Sequence, residues 1–244
     1  MDWHARYVQQ AGWTEALRDY LFRRAGLERA GRVLEVGCGT GAILMSLERP
    51  GRELHGLDRE AGRLAEARRH APSACLACGD ARSLPYPPGS FDLVCCHYLL
   101  LWVADPIAAL AEMRRVTRPG GAVLALAEPD HSARLDRPAA LAPLGRLQTE
   151  ALRRQGADPG LGGRLAELFA RAGLPVVEAG SLRPGAQLPP SPQTHALEWA
   201  VLESDLAGSV PPAELARWRK LDRQAWADGS RVLFVPTFYA FARA

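Results

Sequence analysis

VLEVGCGTG, residues 33 to 41, is a β-rich run that ends in three glycines spaced by two. Gly37, Gly39 and Gly41 close the strand, a helical pattern runs from Ala42 to Glu48, and Pro50-Gly51 stops it. Strand, glycine loop and helix in this order form one half of an α/β crossover. In a parallel sheet, ligands sit beyond the carboxyl ends of the strands, and glycine lets the backbone approach them closely, so the loop belongs at a binding crevice. The spacing is G-x-G-x-G, whereas a dinucleotide fold prefers G-x-G-x-x-G with its helix N-terminus aimed at a pyrophosphate.

Outward from this unit, GRVLEVG, ELHGLD, CLACGD, FDLVCCHY and GAVLALAE read as five strands separated by helical patterns, which predicts an α/β fold with a parallel sheet and helices on both faces. In PIAALAEMRRVTRPGG the apolar residues Ile107, Leu110, Met113 and Val116 recur near the helical period before Pro119-Gly120-Gly121 turns the chain into the fifth strand. Past Glu128 the pattern changes. Leu141 to Gln155 and Leu165 to Ala172 read as helices, GADPGLGG and the Pro-rich piece from Pro184 to Pro192 as loops, and AELARWRKLDRQAWADG as a further helix. VVEAGS and the closing VLFVPTFYAFARA supply a sixth and a seventh strand. The expected organisation is a single domain over 1–244: an N-terminal helical lid at 1–30, a ligand-binding core at 31–130, a covering helical insertion with a late strand at 131–230, and a last strand at 231–244.

The chain has 244 residues, 48% of them hydrophobic, and a mean hydropathy of -0.13, as expected for a globular protein with one well-buried core. No apolar run reaches the ~20 residues that cross a bilayer. Asp2, His4 and Arg6 stand where a secretion signal would need an apolar core, which makes the cytoplasm the simplest compartment. A net charge of +3 demands no nucleic-acid partner. The five cysteines, Cys38, Cys75, Cys78, Cys95 and Cys96, read as free thiols. Cys75 and Cys78 have CxxC spacing, but no second pair completes a tetrahedral zinc site, so no metal is expected.

Three acidic residues stand near the crevice. Glu35 interrupts an apolar strand, as a ligand-facing carboxylate or as a buried structural one. Asp58 ends the second strand at the distance from the glycine loop where ribose hydroxyls are accepted in nucleoside-binding folds. Asp80, in GDARSLPYPPGSFDLV, could accept from an adenine amino group while the Ala81 amide meets the ring, or it could cap a loop.

In order and spacing, VLEVGCGTG, GLD, GDARSLPYPPGSFDLV and RRVTRPGGAVLALAEPD resemble the small-molecule class I S-adenosylmethionine (SAM)-dependent methyltransferases, including the ubiquinone/menaquinone-biosynthesis branch, over roughly residues 25 to 130. The resemblance implies a Rossmann-like seven-stranded sheet whose final strand runs antiparallel. It also implies SAM as cofactor and S-adenosylhomocysteine as product. Glu35, Gly37, Gly39 and Gly41 would hold the methionine part with Cys38 between them, Asp58 the ribose with Arg59 beside it, and Asp80 with Ala81 the adenine. His97, at the end of the fourth strand, would line the methyl-transfer site. The N-terminal stretch itself reads either as a lid, with Tyr7 and Arg6 available for the SAM carboxylate or the substrate, or as an amphipathic helix packed on the sheet.

Methyl transfer from a sulfonium requires chiefly placement of the acceptor and exclusion of water. Where the acceptor must lose a proton, His97 or His131 is the expected base. Tyr98, Trp102, Glu128 and Asp130 are candidates for the pocket wall, although a Trp in LLLW reads more readily as core. The expected partner is a small-molecule acceptor, with no membrane and with a monomer or homodimer as the assembly. The readings to beat are a SAM-binding module without catalysis, a nucleic-acid methyltransferase, disfavoured by the absence of an N/D-P-P-Y/F tetrapeptide, and an NAD-dependent dehydrogenase, disfavoured by the glycine spacing.

Overall fold

A computed structural model describes residues 2–182 and 189–244. The chain begins with α1 (Trp3–Trp13), whose first turn is capped by the Asp2 carboxylate accepting from the Ala5 amide at 2.9 Å, and α2 (Glu15–Ala25). The alternating core follows: β1 (Arg32–Val36), α3 (Leu44–Leu47), β2 (Glu53–Asp58), α4 (Ala61–His70), β3 (Cys75–Cys78), β4 (Phe91–Cys96), α5 (Pro106–Val116) and β5 (Thr117–Pro129). The remainder comprises β6 (Leu135–Arg137), α6 (Ala142–Arg154), α7 (Leu165–Arg171), β7 (Val176–Ser181), α8 (Pro192–Asp205), α9 (Pro212–Ala227), β8 (Val232–Phe234) and β9 (Thr237–Arg243).

Seven strands form the main sheet in the order β3-β2-β1-β4-β5-β9-β7. The pairs among β1 to β5 are parallel, while β9 runs antiparallel to both β5 and β7. The chain leaves β1 toward β2 and β3, then returns to build β4 and β5 on the other side, so the crevice beyond the C-terminal ends of β1 and β4 is a topological switch point.

Strand periodicity divides the core in two. Leu93 and Cys95 of β4 pack with Leu21, Phe22, Leu44 and Leu64 of α2, α3 and α4. Val94 and Cys96 pack with Leu110 and Met113 of α5 and with Leu168 and Phe169 of α7. The neighbouring thiols Cys95 and Cys96 are therefore buried on opposite faces. A third cluster, including Leu144, Trp199, Leu206, Leu215 and Trp218, binds α6, α8 and α9 into a helical cap.

Several sequence expectations need correction. The helix expected from Ala42 to Glu48 is a single turn, Leu44–Leu47, because the glycine turn reaches into its start. The closing VLFVPTFYAFARA is two strands: Val232–Phe234 pairs with β6 in a separate ribbon, and the main-sheet strand begins at Thr237, just beyond Pro236, which has no N–H for a ladder. Within residues 131–230, expected as a covering insertion with a late strand, β7 is that strand in the main sheet, α7 packs on the main sheet beside it, and α6, α8 and α9 share the cap cluster. Of the Pro-rich piece at 184–192, residues 184–188 lie outside the described residues.

A buried polar seam joins the cap to the β6/β8 ribbon. Asp222 accepts from Arg231 Nε at 2.6 Å and Trp199 Nε1 at 2.9 Å, and His195 Nε2 lies 2.9 Å from it. Arg231 continues to Asp136 at 2.9 Å, and Asp136 also holds Arg134 at 2.7 Å. Each buried charge here has an opposite partner, and removing one partner from such a pair costs far more than the pair itself contributes.

Candidate active site

The glycine loop is fixed by its backbone. The Gly37 and Cys38 amides both donate to the Leu57 carbonyl at the end of β2, at 2.7 and 3.0 Å. Gly37 and Gly39 have φ of 75° and 53°, in the left-handed region that side chains resist. A Cβ on Gly37 would also stand 2.6 Å from Leu99 Cδ1, and one on Gly39 would stand 3.1 Å from the Tyr7 ring. Leu99 and the ring of Tyr7 thus leave no room for a side chain on either glycine, and the Tyr7 ring covers the loop.

Asp58 ties the loop to the second strand. One carboxylate oxygen accepts from the Gly39 amide at 2.8 Å and the other from the Glu60 amide at 2.9 Å. With one bond each, both oxygens keep a free lone pair. Asp80 lies beyond β3 on an exposed turn, accepts from the Arg82 amide at 2.8 Å and pairs with its guanidinium at 2.7 Å, which lowers its pKa to about 2. Ala81 beside it is buried. Arg59 is exposed, and its carbonyl accepts from the Cys78 thiol at 3.5 Å. Cys38 is buried, and desolvation raises its thiol pKa.

Glu35 lies beneath this surface rather than in it. It is 2% exposed, Arg18 and the Leu44 amide are its favourable neighbours, and burial raises its pKa to about 8. Its Oε2 has no hydrogen-bond partner. At neutral pH it is mainly a neutral acid behind the loop.

The N-terminal helix covers the crevice through several contacts. Besides Tyr7 over Gly39, His4 Nδ1 lies 2.9 Å from Thr40 Oγ1, and the His4 ring stacks on His70 of α4 at 3.4 Å. Arg63 of α4 sits over the rings of Tyr7 and Trp3, 5.3 and 5.6 Å from their centroids. Arg6 lies over Trp13 at 4.8 Å and donates to Gln9 at 2.7 Å, and Gln9 in turn donates to the Thr194 carbonyl of α8 at 3.2 Å. The cap and the N-terminal helix therefore meet over the strand ends.

The strand ends supply the innermost wall. His97 shares a 2.9 Å hydrogen bond between Nε2 and Thr14 Oγ1, which also accepts from Arg18 at 2.9 Å. Burial, aided by the Arg18 charge, lowers the His97 pKa to about 3. Tyr98 has φ of 52°, a conformation that costs a residue with a Cβ about 1 kcal/mol or more, and packs edge-on against His97 at 4.4 Å. Burial raises the Tyr98 hydroxyl to about 12. His131 follows β5, its Nδ1 is buried without a partner, and desolvation with Arg134 nearby lowers its pKa to about 4.

The other wall candidates have different places. Glu128 is fully buried and accepts from the Leu99, Leu100 and Leu101 amides at 3.0, 3.0 and 3.3 Å, holding the turn after β4. Asp130 caps the short turn His131–Ala133 by accepting from the Ser132 and Ala133 amides. Trp102 is 37% exposed and is not a core residue. Glu198 was missed by the sequence patterns. It lies one turn after Thr194 on α8, on the face that meets α1, and its pKa is raised mainly by burial and lowered in part by Arg6. A Glu in the helical run HALEWAVLESD carries no sequence signal that distinguishes it from a solvated helix residue.

Comparison with known proteins places a methyltransferase-like match in the core of the chain. Residues 34–125 match the family model described as a methyltransferase domain. The chain is 41% identical over 108 residues to demethylmenaquinone methyltransferase of Beutenbergia cavernae, covering 42% of this chain and 45% of that protein. It is 39% identical over 127 residues to malonyl-[acyl-carrier protein] O-methyltransferase of Halorhodospira halophila, covering 49% and 43%. In each case the match spans less than half the length of the relative. The fold is shared with geranyl diphosphate C-methyltransferase from Streptomyces coelicolor A3(2), solved with Mg2+, geranyl diphosphate and S-adenosylhomocysteine, at a TM-score of 0.59 and 15% identity over 96% of this chain and 78% of that one. With its switch-point crevice, its motifs in order and this match, the core of the chain at residues 34–125 is similar to the methyltransferase domains of class I SAM-dependent enzymes.

Proposed function

We propose that this chain transfers a methyl group from SAM to a small-molecule acceptor held between α1, the ends of β4 and β5, and α8. The observation that carries the proposal is the junction of Gly39 with Asp58 at 2.8 Å under the Tyr7 ring, which brings a glycine cradle, a carboxylate and an aromatic face to one point at the switch of the sheet. These groups suit SAM: the free lone pairs of Asp58 match two ribose hydroxyls, and an aromatic face favours a sulfonium. Gly37, Cys38, Gly39 and Gly41 would face the methionine part, Asp58 and Arg59 the ribose, and Asp80 and Ala81 the adenine edge, with Tyr7 and Arg6 above. Glu35, as a neutral acid, would support the loop rather than supply charge.

SAM contributes an electrophilic methyl group and departs as S-adenosylhomocysteine. The protein's part is to hold the acceptor on axis and to keep water out, which the α1 roof and the α8 contact favour. His97 and His131 stay neutral at working pH and are weak proton acceptors, with pKa values of about 3 and 4. Glu198, whose pKa is raised, is the better-matched base for an acceptor that must lose a proton. The two curated relatives bear the names of a menaquinone-type and a malonyl-carrier methyltransferase, which supports an acceptor other than nucleic acid. Among the described residues no helix is long and apolar enough to cross a membrane; the proposed setting is the cytoplasm, with a monomer or homodimer as the assembly.

The test is release of S-adenosylhomocysteine from SAM in the presence of a panel of quinols, carboxylates and amines, with transfer RNA and duplex DNA as separate arms. Turnover with a small acceptor supports the proposal. Turnover confined to nucleic acid, or SAM binding with no turnover across the panel, would replace it with one of the competing readings.

A further inference from the structure

The cap holds a cleft of about 360 Å³ between α8 and α9, lined by Pro190, Pro192, His195, Arg219, Arg223 and Trp226. None of these residues belongs to the glycine-loop crevice. The polar groups of the cleft are unbalanced. Trp226 Nε1 and Arg219 Nε are buried and have no hydrogen-bond partner. Arg219 has an ion pair at its other end, through Nη1 to Glu203 at 2.9 Å. Arg223 is exposed and, among the described residues, takes part in no ion pair or hydrogen bond. Of the acids beside this wall, Glu203 is paired with Arg219, and Asp222 is already engaged by Arg231, Trp199 and His195.

An indole N–H and a guanidinium can only donate hydrogen bonds. Among the described residues Arg223 has no ion pair and Arg219 is paired at one end only, so this wall carries an excess of positive charge, and a guanidinium fork favours a flat or tetrahedral anion. The rest of the wall is two prolines and an indole ring, which suits an apolar body. We propose that this cleft binds an amphiphilic anion, a carboxylate or phosphate group on an apolar or aromatic body, with its head between Arg219 and Arg223 and its body against Trp226, Pro190 and Pro192. His195 belongs both to this cleft and to the Asp222 seam that runs through Arg231 and Asp136 to Arg134, so an occupant would touch the cap's buried charge network. The proposal does not depend on methyl transfer.

The experiment is calorimetric titration of the full chain with 2-naphthoate, with its uncharged counterpart 2-naphthamide, and with pyrophosphate, repeated on Arg223→Ala, Trp226→Phe and the control Arg217→Ala. Arg217 is exposed on the same helix and does not line the cleft. The expected result is saturable binding of an anion, at least tenfold weaker binding of the amide, a tenfold or greater loss in Arg223→Ala, a several-fold loss in Trp226→Phe, and no change in Arg217→Ala. Naphthoate should bind more tightly than pyrophosphate, and tighter binding of pyrophosphate, which has no apolar body, would overturn the amphiphilic assignment. Equal binding of acid and amide, unchanged affinity in an Arg223→Ala protein with the wild-type melting temperature, or no saturable binding of either anion up to about 10 mM would overturn it.

Discussion

Replacing Asp58 by alanine removes the group that joins the glycine loop to the second strand. In the ligand-free protein its oxygens accept from the Gly39 and Glu60 amides at 2.8 and 2.9 Å. A hydrogen bond to a charged group contributes about 1.5–3 kcal/mol, but Asp58 is only partly buried and water can replace some of each bond. A net loss of about 1–2 kcal/mol follows, a fall of about 2–8 °C in melting temperature for a chain of this size. The effect on ligand affinity should be larger, because the same oxygens would accept two ribose hydroxyls that water does not reach in the complex. Loss of both would weaken binding by about 3 kcal/mol or more, a hundredfold or greater. Asp58→Asn keeps one carbonyl oxygen for the Gly39 amide and should fall between the two. The assay is calorimetric titration with S-adenosylhomocysteine alongside thermal unfolding followed by circular dichroism. An Asp58→Ala protein that is folded and binds within threefold of wild type would refute the ribose assignment.

Gly37→Ala should cost about 1–2 kcal/mol in thermal unfolding, from a left-handed φ and a Cβ 2.6 Å from Leu99; an unchanged melting temperature would show that the loop relaxes freely. Glu35 has a folded pKa near 8, above the ordinary carboxylate value of 4.5, so its contribution to stability is present below about pH 4.5 and is lost as pH rises through 8. Glu35→Gln should flatten the decline in melting temperature between about pH 5 and 8 and leave S-adenosylhomocysteine affinity at pH 7 within a few-fold; a tenfold loss of affinity would mean that the carboxylate charge is used. His97 behaves oppositely: its pKa of about 3 lies below the ordinary 6.5, so its contribution is present above pH 6.5 and is lost as pH falls toward 3, and His97→Gln should reduce acid sensitivity in that window as read by melting temperature against pH. Once an acceptor is found, Glu198→Gln should lower kcat at least tenfold if proton removal is needed, with affinity for S-adenosylhomocysteine retained, whereas full turnover in that variant would exclude Glu198 as the base.

The parallel core was legible because its signals are local. VLEVGCGTG carries a strand, its end and a turn within nine residues, and each later strand is an apolar run bounded by glycine, proline or aspartate. The antiparallel last strand followed from the resemblance rather than from periodicity. The split at Pro236 was missed because VLFVPTFYAFARA reads as one β-rich run, and only pairing with β6 shows that its first part belongs to another sheet. Glu128 and Asp130 stand at the end of a strand where a pocket wall is expected, yet both are taken up by backbone amides of neighbouring turns, an assignment set by tertiary geometry. Glu198 lay outside any motif because its setting is created by the packing of α8 on α1, which sequence spacing does not encode. The cap cleft, likewise, brings Pro190 together with Trp226 across the α8–α9 hairpin.

Calorimetric titration of the purified chain with SAM and S-adenosylhomocysteine, with NADH as control, shows whether the glycine-loop crevice binds SAM. Saturable binding of the first two and none of NADH is expected. No binding of either, in folded protein shown to be free of co-purified ligand, or binding of NADH instead, would contradict it.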